Sequence, residues 1–467
     1  MKKKIVKAAS LAVLGGFAVA SLASCGAKQK PWVEPVLPAY NGTATDGGKV
    51  VNIRCWNDEF INLFATYYNK DLTVVKAKEE YKLGDITYKF NVVANQGNAY
   101  QDALDAVLEN NLTASANDKV DLFLMEADYA LKYVNSNYTL DVKDIGITDA
   151  DTAEMYQYTK DVATASDGRL KGLSWQATPG LFAYRTDIAE EVLGTSDPTE
   201  VQAKISDWTK FDAVAAQMKA KNYTMLSGFD DSYRVFSNNI KQPLVNVKTG
   251  EIQIDDQLNK WIDQTKKYTD AGYNKKTTLW STEWSNEQTI NGSTFGFFYS
   301  TWGINFTLKG NAEVKKDGKD LIGKYRVVEG PASYFWGGTW LAPANGTDNK
   351  KEVADILKVM TCDGTVADKI TRDTQDYTNN KAAMNAIATD KTYGSEFLGG
   401  QNHVALFAKS APKIEMKNLS SWDQGINEKL QEAMKDYFLG QVKIDKAWSN
   451  FYKKVKQVYP ELRKKAD

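Results

Sequence analysis

The sequence holds one histidine, His403, in 467 residues. That excludes any mechanism needing two imidazoles, such as an H-E-x-x-H zinc site, and nothing around His403 suggests a catalytic triad. No phosphate-binding loop is present. The best glycine-lysine pair, Gly318-Lys319, lacks both the Ser/Thr that should follow and the correctly spaced glycine. Gly172 to Gln176 misses a nucleophile elbow at its last position. The acidic run Asp141 to Asp151 puts Lys143 and Ile145 where a calcium loop needs oxygen ligands. Neither sign of charge is in excess, with 58 basic and 59 acidic residues, so nothing electrostatic points to nucleic acid as a partner. No apolar run reaches the roughly 20 residues of a membrane span.

The longest apolar run, Ala8 to Ala23, follows Lys2-Lys3-Lys4 and Lys7 and ends in Leu22-Ala23-Ser24-Cys25-Gly26. A positive start, a run of about 16 apolar residues and small residues before a cysteine fit an export signal cut at residue 24. The motif looks like a bacterial lipobox. Cys25 is then the lipidation site, and acyl chains hold the chain on the outer face of the cytoplasmic membrane. Residues 25–48 carry Pro31, Pro35 and Pro38 with little periodicity and read as a tether. Cys55 and Cys362 remain. One disulfide and two buried thiols are both open, and their apolar neighbours favour free thiols.

A chain of this length is expected to form two globular lobes. Lys49 to Trp56, Tyr88 to Ala94 and Val120 to Met125 read as strands, separated by amphipathic helical patterns on Phe60, Leu63, Phe64 and Tyr67 and on Tyr100, Leu104 and Leu108. Such alternation predicts a parallel sheet. Its polar strand endings, Asn57 to Glu59, Asn95-Gln96 and Glu126 to Asp128, fall on one rim, where open α/β sheets bind ligands. Further on, Gly292 to Asn305 reads as a buried aromatic strand broken by Ser300-Thr301 and followed by Trp302. Taken alone, Trp302 fits a core residue or a stacking face at a strand end equally well.

Several segments together resemble the family 1 extracellular solute-binding proteins, the maltose-binding-protein-like receptors of carbohydrate ABC importers. They are the lipobox, Gly168 to Ile188, Ser206 to Phe211, Gly296 to Trp302, Trp336 to Ala342, Asn349 to Ala354, Asn379-Asn380-Lys381, and Gly440 to Ile444 between two closing helices. The resemblance covers nearly all of the chain after Cys25. It implies a two-lobed α/β fold of the type II periplasmic-binding-protein kind, with three crossings near Ala177, Gly337 and Met384. The first lobe is then residues 49–177 and 338–384, and the second residues 178–337 and 385–467. Closure of such lobes around a ligand is a hinge motion.

The resemblance also implies a non-catalytic, monomeric receptor without a cofactor, which hands a carbohydrate to a membrane permease. Its cleft would be lined by Trp56, Asn57, Glu59, Gln96, Glu126 and Asp128 from the first lobe, and by Gln176 and Trp336 at crossings. Asp230, Asp231, Tyr233, Trp302, Trp422 and Asp423 would come from the second lobe. The chemistry agrees: carboxylates and amides bond to hydroxyls, and indole faces cover the C–H patches of a sugar ring. Two other readings remain. One is a surface glycoside hydrolase using carboxyls such as Glu126 and Asp230. The other is a binding lipoprotein for a polyamine or peptide.

Overall fold

The computed structural model describes residues 32–465, so the signal segment and Cys25 lie outside the described residues. Strands Val50–Cys55, Ile86–Val92 and Leu122–Glu126 pair in parallel, as the alternating pattern predicts. They form the middle of a seven-stranded sheet. A hairpin, Thr73–Lys76 and Glu80–Leu83, extends one edge, and Thr339–Pro343 and Leu173–Ser174 add antiparallel strands at the other. Periodicity missed the hairpin because all four residues of Thr73–Lys76 are exposed, which leaves no apolar face to read.

A second, three-stranded sheet centres on Gly180–Arg185, with Gly296–Ser300 and Tyr325–Val328 antiparallel on its two sides. Every residue of Gly180–Arg185 and Gly296–Ser300 is buried. The chain leaves the large sheet after Ser174, joins the small one at Gly180, and returns between Val328 and Thr339. Helix Gly364–Thr374 packs near Glu59–Tyr67 on the first side, whereas His403–Ser410 packs on Gly180–Arg185. The chain therefore changes sides a third time between these helices. A separate core lies under helices Asp256–Ala271, Asp423–Phe438 and Ile444–Val458, with Trp261, Leu430 and Phe451 fully buried.

The segment expected to be a tether is different where it is described. Trp32 to Gly48 is laid along the body. The Trp32 indole packs on Trp422 and donates to the Val247 carbonyl at 2.9 Å. Tyr40 receives the guanidinium of Arg169 4.3 Å above its ring, donates to Asp144, and accepts the Asp141 N–H at 2.7 Å. Between these docks the Ala39 carbonyl accepts from Asn137 at 2.9 Å. Composition suggested a free linker because prolines dominate it, but two aromatic side chains outweigh them by burying apolar area.

Cys55 and Cys362 are free thiols. Cys55 sits in the core of the large sheet, where burial pushes its pKa up to about 12. His403 is fully buried against Tyr393 and Phe407, with Nε2 at 2.9 Å from the Gln375 carbonyl. Burial lowers its pKa and keeps it neutral, so it is a core residue.

Candidate functional site

Seven of the residues expected in a cleft surround one cavity of about 430 Å³: Trp56, Asn57, Glu59, Glu126, Gln176, Trp302 and Trp336. The strand Val50–Cys55 delivers Trp56 and Asn57 to the rim. The Asn57 side chain then accepts the Glu59 N–H at 3.0 Å, which turns the chain into helix Glu59–Tyr67. On the opposite wall, Gly296–Ser300 ends and Trp302 follows at once. Its indole N–H donates to the Trp336 carbonyl at 2.9 Å, and the two rings meet edge to face at 5.4 Å. Trp336 in turn stacks on Tyr299, 6.0 Å away and within 8° of parallel. Gly337, with φ of +70°, lets the crossing pass beneath Trp302. A Cβ there would stand 3.0 Å from the indole nitrogen.

A hydrogen-bond chain ties the two walls. Gln176 donates to Glu59 at 2.7 Å and to Asp376 at 3.1 Å. Asp376 also accepts from the hydroxyl of Thr301, the residue before Trp302. The acidic carboxyls are unusually proton-retentive. Burial, reinforced by the charge of Asp376, raises the Glu59 pKa to about 7, although the Gln176 bond lowers it. Burial and then the charge of Asp128 raise that of Glu126, offset by Arg234. Near neutral pH the cavity thus presents carboxyl groups able to donate as well as accept, beside an amide and indole faces.

The sign of that shift makes a prediction. A carboxyl that holds its proton more tightly when folded weakens the native state as it ionises. The contribution of Glu59 is therefore favourable near pH 4.5 and lost by about pH 7. Glu59→Gln should remove roughly 2 kcal/mol of the decline in ligand-free stability between pH 5 and pH 8. Thermal unfolding of both proteins at the two pH values measures it. Parallel pH dependences would rule Glu59 out as the source.

Seven other residues expected in the cleft are placed elsewhere. Gln96 is exposed in a short 3-10 turn. Asp128 is held by a bidentate ion pair with Arg234, and with Asp423 it lines a separate cavity of about 60 Å³. Asp423 accepts from both the N–H and the hydroxyl of Ser420, closing the turn that starts its helix. Asp231 accepts the N–H groups of Ser227 and Gly228 and the indole of Trp284. Tyr233 packs on Trp261 and donates to Asn427. Trp422 is buried against Trp32 and donates to Glu461. Asp230 does not line the cavity with Glu126, so the structure does not bring that carboxyl pair together there. Asp231, Tyr233, Trp422 and Asp423 are thus claimed by backbone or side-chain partners inside the fold, whereas Gln96 stays exposed.

Phe306 was not foreseen. It is 69% exposed and lines the cavity with Thr307. Both sit in a π-helical stretch, Gly303–Leu308, a rare geometry that recurs at functional sites. Its phenyl adds an exposed apolar face to a cavity also lined by three indoles, and the only sequence signal for it was its place one turn after Trp302.

Two α/β sheets joined by three crossings, with an aromatic and acidic cavity at the first two, define a bilobal ligand receptor. The chain belongs to the bacterial extracellular solute-binding protein family, whose model matches residues 74–394. No curated protein matches it in sequence. Solved structures match over almost their whole length. An extracellular solute-binding protein of family 1 superposes with a TM-score of 0.69 at 19% identity, covering 87% of this chain and 99% of that one. The galacto-N-biose/lacto-N-biose I-binding protein of an ABC transporter from Bifidobacterium longum, in complex with lacto-N-biose, gives 0.64 at 14% identity, covering 89% and 99%. The sugar-binding protein MalE from Xanthomonas citri gives 0.64 at 15%, covering 88% and 98%. These likenesses establish the two-lobed MalE-like fold.

Proposed function

We propose that this protein captures a carbohydrate of more than one ring in the cavity between its lobes and delivers it to the permease of an ABC importer. The observation that carries the reading is the pairing of indole and phenyl faces with buried carboxyl and amide groups around one cavity. Rings of Trp302, Trp336, Trp56 and Phe306 suit the C–H faces of a pyranose, and Glu59, Glu126 and Gln176 suit its hydroxyls. The solved relatives bind lacto-N-biose, β-1,6-galactobiose and maltose, which supports the same ligand class.

In this reading the first lobe is residues 49–177 with 338–384, and the second is residues 178–337 with 385–467. The protein works without a cofactor and without turnover, as a monomer held at the outer face of the membrane through Cys25. A thermal-shift screen of the chain starting after Cys25 against a glycan panel tests it. A ligand at 100 times its Kd should add about 2.7 kcal/mol to stability. Stabilisation by polyamines or peptides alone would transfer the site to another solute. Release of new reducing ends would make it an enzyme.

A further inference from the structure

Trp280 lies outside the cavity and none of the roles above uses it. Its backbone stands at φ +68°, a left-handed conformation that bulky residues rarely occupy. The Ser281 N–H donates to the Thr278 carbonyl at 3.0 Å, so Trp280 occupies the third place of a tight turn, where glycine or asparagine is the usual occupant. The turn is pinned on every side. Lys435 donates to the Thr278 hydroxyl at 2.7 Å, and the Leu279 N–H faces the Asp230 carboxylate. The Ser281 side chain caps the following helix through the Trp284 N–H at 3.2 Å. Beneath it Asp231 fixes the Trp284 indole at 2.9 Å, and Trp280 rests edge on against that ring at 5.1 Å.

The fixed turn holds a large apolar ring in the open. Trp280 is 54% exposed, although it touches two cavity walls: Trp302 at 6.1 Å and within 25° of parallel, and Trp336 at 5.9 Å. An exposed indole therefore adjoins the two indoles that line the cavity without lining the cavity itself. Packing alone does not account for this. A core Trp would be buried, and a loop position with positive φ is met at no strain by glycine.

We propose that Trp280 determines ligand length: its exposed face is an outer stacking platform for a sugar ring beyond those the cavity holds. The inference rests on the carbohydrate reading and adds that the preferred glycan extends out of the cavity along the second lobe.

Isothermal titration with oligosaccharide ladders of one to four rings (α-1,4-glucan, β-1,4-glucan and β-1,6-galactan) tests it on the wild type, Trp280→Ala and Trp280→Phe. The wild type should gain affinity with length. Trp280→Ala should lose at least tenfold for the longest bound member and less than twofold for the shortest, and Trp280→Phe should keep most of the gain. Acrylamide quenching of the wild type should fall when a long ligand binds and change less with a short one. Equal losses at every length, or none, overturn the proposal, because a merely structural Trp would not distinguish lengths. Binding of no ladder member by the wild type overturns the carbohydrate reading and this assignment with it, whereas length-independent binding overturns the assignment alone.

Discussion

Replacing Arg234 by alanine is expected to lower the stability of the ligand-free protein by about 3 kcal/mol, since removing one partner of a largely buried pair strands the other. Both oxygens of Asp128 accept from this one guanidinium, and both side chains are about two-thirds buried or more. Glu126 lies beside them and is already pushed towards its protonated form, with Arg234 the charge that restrains it. Without Arg234 two carboxyls two residues apart lose the guanidinium that acts on both. Asp128→Asn in the same protein should recover much of the loss, which distinguishes an electrostatic cost from a packing defect. Denaturant unfolding of the single and double variants measures both, and an Arg234→Ala change below 0.5 kcal/mol, roughly the scale of an exposed ion pair, would count against the account. The pair also joins the rim after Leu122–Glu126 to helix Tyr233–Ser237, so small-angle scattering should report a larger, more open molecule in the single variant.

Trp302→Ala should weaken glycan binding at least tenfold, about 1.4 kcal/mol. The indole lines the cavity, bonds the Trp336 carbonyl and lies within 25° of parallel to Trp280 at 6.1 Å, so its removal takes one stacking face and loosens two more. Intrinsic fluorescence titration with a ligand found by the glycan screen measures the change. Wild-type affinity in the variant would remove Trp302 from the site.

The parallel sheet and its rim were legible in the sequence because strand burial leaves apolar runs and the polar residues after them have no core to enter. That geometry offered Asn57, Glu59 and Glu126, which line the cavity, and also Gln96 and Asp128, which do not, whereas Trp56 came from the family resemblance. The second lobe was harder to read. Asp230-Asp231-Ser232-Tyr233 and Ser420-Ser421-Trp422-Asp423 have the composition of a binding loop, yet the same residue types cap helices and close turns. Only the tertiary contacts decide which way each side chain points. Asp231 is claimed by Trp284 and two backbone N–H groups, and Trp422 by Trp32. Trp280 carried the reverse signal: it sits in a polar run, Thr277 to Ser285, with nothing but Trp284 four residues on to mark it. Phe306 stands between Asn305 and Thr307 with Ile304 and Leu308 beyond, a mixture with nothing to single it out.

The docked segment from Trp32 to Gly48 has a mechanical meaning. Trp32 is seated on Trp422, next to Ser421, whose hydroxyl accepts from Asn135 across the seam at 3.1 Å, and the chain is next gripped by Asn137 and by the ring of Tyr40. Tension applied at the N-terminus is therefore delivered first to the seat of Trp32 on Trp422 and Val247. The proline-marked span between the two aromatic docks has a fixed maximum length, so it sets a limit on how far the seam can gape before one ring must leave its seat.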